Sequence, residues 1–144
     1  MILCEQNLAE FGFDFSLTLA QKIADELTNK DIELVLLDES AMRALNFEQR
    51  GVDKATDVLS FPLNAVPNTE NSLLGSIVIN ANAVFNEAQR LKHSAEAEFT
   101  LLFLHALLHL LGYDHETDSG QMRAMEKRLI ERFKLPQSLI IRNE

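Results

Sequence analysis

Three of the four histidines of this chain fall within eleven residues, 105–115, which read HALLHLLGYDH. His105 and His109 are one helical turn apart. Their imidazoles therefore leave the same helix face, with Cβ atoms about 5–6 Å apart. Gly112 offers the helix an exit in a left-handed conformation, which lets the chain double back and return His115 to the same point from another direction. Three neutral imidazoles converging in this way are the protein half of a catalytic zinc site, in which the fourth position stays open for water. Zinc lowers the pKa of water from about 15.7 toward about 7, so such a site suits hydrolysis. One ion per chain is expected, and another divalent metal is compatible with the same donors.

The spacing i, i+4, i+10 with glycine at i+7 is also that of the metalloprotease pattern HExxHxxGxxH. Position 106, where a peptidase needs its general-base glutamate, is Ala106. A zinc metallopeptidase-like hydrolase is therefore the second reading. Met122 and Met125 lie on a helical stripe and are assigned to the core rather than to a methionine turn beneath the metal. His93, flanked by polar residues, is read as a satisfied structural histidine, and Asp114 either as a residue able to orient a ligand histidine or as a solvent-exposed turn residue. The motif itself leaves a metal site without a built-in carboxylate base.

The elements that must position these residues follow from periodicity. Residues 99–111 are apolar on nearly every side, so the helix that carries His105 and His109 should be buried, with Ser94 as its N-cap and Glu96 in its first turn. Residues 32–37 (IELVLL) and 73–79 (LLGSIVI) read as buried strands, with Gly75 at a bulge or a close approach. TDVLSFP (56–62) gives a third strand that Pro62 stops or confines to an edge. Residues 2–8 form a weak first strand. Residues 16–29 and 80–92 have helical spacing, Ser40 is placed as the cap of a short helix with Met42 and Leu45 inward, and Asp118 or Ser119 restarts a last helix that ends before Pro136. Residues 64–72 are rich in asparagine and should form an exposed connection. The basic residues Arg123, Lys127, Arg128, Arg132 and Lys134, interleaved with Glu126 and Glu131, are read as a solvated helix face. Together these elements predict an α/β (α+β) fold: one domain over residues 1–144, a small mixed sheet covered by helices, and a buried central helix bearing the metal ligands.

At 144 residues the chain is long enough to bury roughly two-thirds of its unfolded surface. Its single cysteine, Cys4, excludes a disulfide framework and a cysteine-only metal cage. The longest apolar run is too short to span a bilayer, and the N-terminus carries acids and no cationic leader, so the protein is read as cytoplasmic, without a membrane partner. A net charge of −9, from 13 basic and 22 acidic residues, argues against avid nonspecific binding to nucleic acid; contact with RNA must be local. The five glycines are too dispersed for a nucleotide-binding loop, and no GxSxG is present.

The run HALLHLLGYDH resembles the signature HGxLHLxGYDH of the YbeY family, metal-dependent single-strand-specific endoribonucleases linked to maturation of 16S ribosomal RNA and to ribosome quality control. A second stretch agrees: Asn46, Arg50, Asp53 and TDVLSF resemble that family's arginine-containing segment, and LLGSIVI its strand segment. The resemblance implies zinc on His105, His109 and His115, Arg50 as the catalytic or phosphate-stabilising cation, single-stranded RNA such as ribosomal RNA as substrate in preference to DNA, and the ribosome or its proteins as partners. From spacing alone Arg50 would be a solvated surface residue. The chain departs from the family pattern at Ala106 (usually glycine), Gln49 (commonly aromatic), Ala55 (commonly proline) and Ser76 (commonly acidic); none of these is a proposed ligand. A third reading, a non-catalytic ribosome assembly factor with structural zinc, is compatible with the acidic charge.

Overall fold

The computed structural model describes residues 1–63 and 72–135. Most of the asparagine-rich connection and the region beyond residue 135 lie outside the described residues.

Four strands form one sheet in the order β1-β2-β4-β3: β1 (Ile2–Leu3), β2 (Asp31–Leu37), β3 (Val58–Pro62) and β4 (Leu73–Asn80). β1 and β4 run parallel to β2, and β3 runs antiparallel to β4, so the sheet is mixed. The expected first strand is only two residues long; the chain leaves it for a 3-10 turn at Leu8–Phe11, capped by Asn7. Pro62, which has no N–H to donate, sits in the edge strand β3 opposite Gly75. Gly75 is both bulge and close approach. The β2–β4 register skips a residue between Asp31 and Ile32, and a Cβ at position 75 would stand 2.5 Å from the Phe61 carbonyl oxygen and 2.9 Å from Leu110 Cδ2.

Strand alternation divides the core. Ile32, Leu34 and Leu36 of β2, with Ile77 and Ile79 of β4, face the main core, whereas Val35, Leu37, Leu59, Phe61 and Val78 pack with Met42 and Leu45 in a second cluster. Those last two residues belong to α2 (Glu39–Arg50), which covers the second face. Asp38, not Ser40, caps α2, accepting from the Ala41 N–H at 2.8 Å. The acid stands one residue before the helix with an extended backbone, which is the geometry a cap requires, and Ser40 is already helical.

The other face is covered by α1 (Thr18–Leu27), α3 (Ala81–Leu91), α4 (Ala95–Leu110) and α5 (Gln121–Phe133), with α4 packed directly on β3 and β4. Every residue of α4 from 98 through 108 is buried. Such all-round burial is what its uniform apolarity demands, and Phe99 and Phe103, both fully enclosed, each contribute about 1.5–3 kcal/mol by leaving water. Ser94 caps α4 through the Ala97 N–H. Among the described residues no helix is long and apolar enough to cross a membrane.

Candidate metal centre

The site begins at the C-terminal end of α4. The Gly112 N–H donates to the His109 carbonyl, and the Tyr113 N–H reaches back to the Leu108 carbonyl, both at 3.0 Å. These two bonds define a Schellman exit, with Gly112 at φ 100°. The same turn orients a ligand: His109 Nδ1 donates to the Tyr113 carbonyl oxygen at 3.0 Å. That assignment of the proton leaves Nε2 with a free lone pair. Burial pushes the His109 pKa down, helped by the neighbouring His105 and His115 and opposed by the bond to Tyr113 and by Asp114. Its imidazole is therefore neutral, and able to bind a cation, at neutral pH.

His105 is oriented by a carboxylate. Its Nδ1 lies 2.8 Å from Glu126 Oε2, with the Glu126 side chain fully buried beneath α4. A carboxylate on the far nitrogen fixes the tautomer and raises the basicity of the nitrogen that faces a metal. Glu126 is thus the one exception to the solvated face read for the charges of α5: Arg123, Lys127, Arg128, Glu131, Arg132 and Lys134 are all exposed. It lies four residues after Met122 and three before Leu129, both buried, so an acid inside the apolar stripe was the available signal. Among the described residues no hydrogen bond joins Asp114 to a histidine: its carboxylate accepts the Glu116 N–H and its carbonyl accepts from Thr117 and Asp118, so it builds the turn that returns His115.

His115 completes the group. One ring nitrogen from each of His105, His109 and His115 falls within 4.8 Å of the others, and the ring centroids stand 4.8–5.7 Å apart. His115 Nδ1 is buried and has no hydrogen-bond partner among the described residues. Buried polar nitrogens are otherwise nearly always paired. An unpaired nitrogen beside two oriented imidazoles, in an all-nitrogen donor set, fits a zinc-like ion with an open fourth position.

The histidines line a cleft of about 520 Å³. Arg50, the last residue of α2, lines it too, although it is exposed and no ion pair holds it among the described residues. Gly51, at φ 71°, ends α2 immediately after it. Ala106 is on the cleft lining and only 1% exposed, so the helix presents a methyl group where a metalloprotease presents glutamate. Asp57, one residue before β3, shares this lining and also borders a neighbouring cleft with Thr56 and Asn80. Burial raises its pKa, against the opposing effect of backbone N–H donors from Val58 and from Asp57 itself. Nothing in the residue spacing singled it out.

Residues 6–134 match the sequence model of the family described as Endoribonuclease YbeY. The chain belongs to the YbeY family. A YbeY protein named Endoribonuclease YbeY from a Nitratiruptor species is 54% identical over 134 residues, covering 92% of this chain and 91% of the relative. The protein of the same name from Aliarcobacter butzleri is 53% identical over 138 residues, 96% of each chain. The solution structure of a Thermotoga maritima protein superposes with a TM-score of 0.61 at 26% identity, covering 92% of this chain and 89% of that one. The histidine cluster, Arg50 and Asp57 all lie within the part of the chain that matches the YbeY family.

Proposed function

We propose that this protein is a zinc-dependent, single-strand-specific endoribonuclease, acting as one domain over residues 1–144 in the cytoplasm, with ribosomal RNA as substrate in 16S 3′-end maturation and ribosome quality control. The names of its relatives supply the reaction class. The observation that supports it in this chain is the convergence of three imidazole donors within 4.8 Å, in a cleft that also holds an arginine with no ion pair among the described residues.

His105, His109 and His115 would hold the ion; a divalent metal there supplies acidified water and polarisation of a phosphate oxygen. The chain's own residues do the rest. Glu126 and the Tyr113 carbonyl keep two imidazoles in the tautomer that binds. Arg50 presents a planar fork whose charge does not titrate, suited to paired hydrogen bonds with a phosphodiester and to the extra negative charge of the transition state. Its exposure suits a group that meets a large substrate arriving from solvent. The overall charge of −9 makes this contact local, so docking on the ribosome would use protein or structured RNA beyond the cleft.

The test is metal analysis coupled to cleavage of single-stranded RNA, with wild type beside His109→Ala. Bound metal and cleavage should disappear together. A metal-replete wild type that cuts no RNA would overturn the reading. Mapping the product ends then identifies the nucleophile: a 2′,3′-cyclic phosphate assigns the RNA 2′-hydroxyl, and a 5′-phosphate with a 3′-hydroxyl assigns water.

A further inference from the structure

We propose that Asp57 is the catalytic acid of this cleft, delivering a proton to the ribose oxygen that departs from phosphorus. The inference rests on the endoribonuclease reading above and adds to it a group that the histidine motif does not contain.

The first observation is placement. Asp57 lines the same cleft as the three histidines and Arg50, from the residue that precedes β3. A phosphodiester seated over the histidines would have Arg50 and Asp57 as the flanking charged side chains from the α2 and β3 side. The second is rigidity. The Asp57 carbonyl accepts the Asn80 N–H at 2.9 Å, and the preceding Thr56 carbonyl accepts from Asn80 Nδ2 at 3.1 Å. Asn80 is 1% exposed and is itself fixed as the cap of α3, its Oδ1 accepting from the Ala83 N–H. The next residue, Val58, is already paired with Ile79 in the sheet. Two bonds from Asn80, one from its backbone and one from its side chain, and a strand start thus fix the main chain that carries the carboxyl, the rigid support that proton transfer requires.

The third observation is what surrounds the carboxyl. Among the described residues no lysine or arginine pairs with Asp57. The groups acting on it from α4 are His105, which favours its charged form, and Glu98, which disfavours it, while Arg50 of α2 stands on the cleft lining. Burial is the largest influence and favours the neutral acid, the form able to donate.

The step balances as follows. The nucleophilic oxygen, from water or from the adjacent 2′-hydroxyl, bonds to phosphorus and gives its proton to solvent. The phosphorus–oxygen bond to the departing ribose breaks, and its electron pair stays on that oxygen. Asp57 transfers its proton there, and the resulting carboxylate regains one from solvent. The products are a phosphate ester and a neutral ribose hydroxyl.

The experiment compares wild type, Asp57→Asn and Asp57→Glu, all metal-loaded, on ordinary single-stranded RNA and on the same RNA with sulfur replacing the departing oxygen. A thiolate leaves without a proton. Metal content, melting temperature and affinity for an uncleavable single-stranded oligonucleotide are measured alongside. Asp57→Asn is expected to lower kcat on ordinary RNA by roughly 10²–10⁴-fold, to shrink that loss to less than about tenfold on the sulfur substrate, and to leave metal content and oligonucleotide affinity near wild type. Asp57→Glu, which keeps an acid one methylene further out, is expected to recover part of the rate. Equal losses on both substrates, an undiminished rate on ordinary RNA, or loss of metal in step with activity would each overturn the assignment. A wild type inert on both substrates would overturn the endoribonuclease reading and this inference together; an active wild type with an equally active Asp57→Asn overturns only the inference.

Discussion

Helix α4 carries near its two ends histidine–carboxylate pairs of nearly equal geometry, each with a buried carboxylate. Just before its N-terminus His93 Nε2 lies 2.7 Å from Glu98 Oε1, and near its other end His105 Nδ1 lies 2.8 Å from Glu126 Oε2. Both carboxylates are almost completely buried, at 1% and 0% side-chain exposure. The first pair fastens the α3–α4 corner, where the His93 N–H also closes onto the Ala88 carbonyl. The second stands behind a nitrogen that converges with those of His109 and His115. Pairing therefore marks a carboxylate satisfied in the interior, and convergence marks a site. The most direct way to break this comparison is to remove a converging ring: His109→Ala should abolish metal retention and RNA cleavage, an effect larger than the roughly 10–100-fold typical of losing an outer partner. Chelation of wild type should do the same and metal should reverse it, read by metal analysis and product formation on one preparation.

The next largest effect falls on the carboxylates. Glu126→Gln keeps the shape of the side chain but removes the charge that supports His105, and metal affinity should fall roughly 10–100-fold. Glu98→Gln should leave metal affinity unchanged. Competition with a chromogenic chelator measures both, and an equal loss in the two variants would erase the distinction drawn between the helix ends. Arg50→Ala comes third. Loss of a charge-assisted contact of about 1.5–3 kcal/mol should lower kcat/KM for RNA by roughly 10–150-fold while metal content stays intact; Arg50→Lys should recover only part, because an ammonium cannot present the paired fork.

The contrast between the helix ends also shows what sequence carries. His105, His109, His115 and the Gly112 exit were readable because helix periodicity and one left-handed turn determine where those rings go, and uniform apolarity correctly placed α4 at the centre of the sheet's main core. Gly75 was readable as a steric necessity. The supporting groups were not. Glu126 belongs to a helix whose other charges are exposed; its place on the Met122–Leu129 stripe marks it as buried, but nothing local names its partner, which is 21 residues away in sequence. Asp57 reaches the cleft through pairing between β3 and β4, contacts that no local period encodes. The Tyr113 carbonyl is invisible to residue type, because a backbone acceptor leaves no mark in the sequence. Arg50 looked like a surface cation from its spacing, and it is one; its meaning comes from the cleft beside it.

The smallest effect is at His93, and it separates stability from function most cleanly. His93→Ala removes one hydrogen-bond partner from the Glu98 carboxylate, 1% exposed. Loss of one such bond to a buried charged acceptor costs about 1–3 kcal/mol, which in a domain of this size lowers Tm by roughly 3–10 °C. The damage is confined to the α3–α4 corner. From there to His105 run almost three turns of helix with every side chain from 98 through 108 buried, and close-packed interiors lose stability at the site of a deletion more readily than they move a distant ligand. Metal content and RNA cleavage measured well below the lowered Tm should therefore match wild type. If His93→Ala instead released metal at a temperature where the fold persists, the two ends of α4 would be coupled, and the His93 pair would belong to the site.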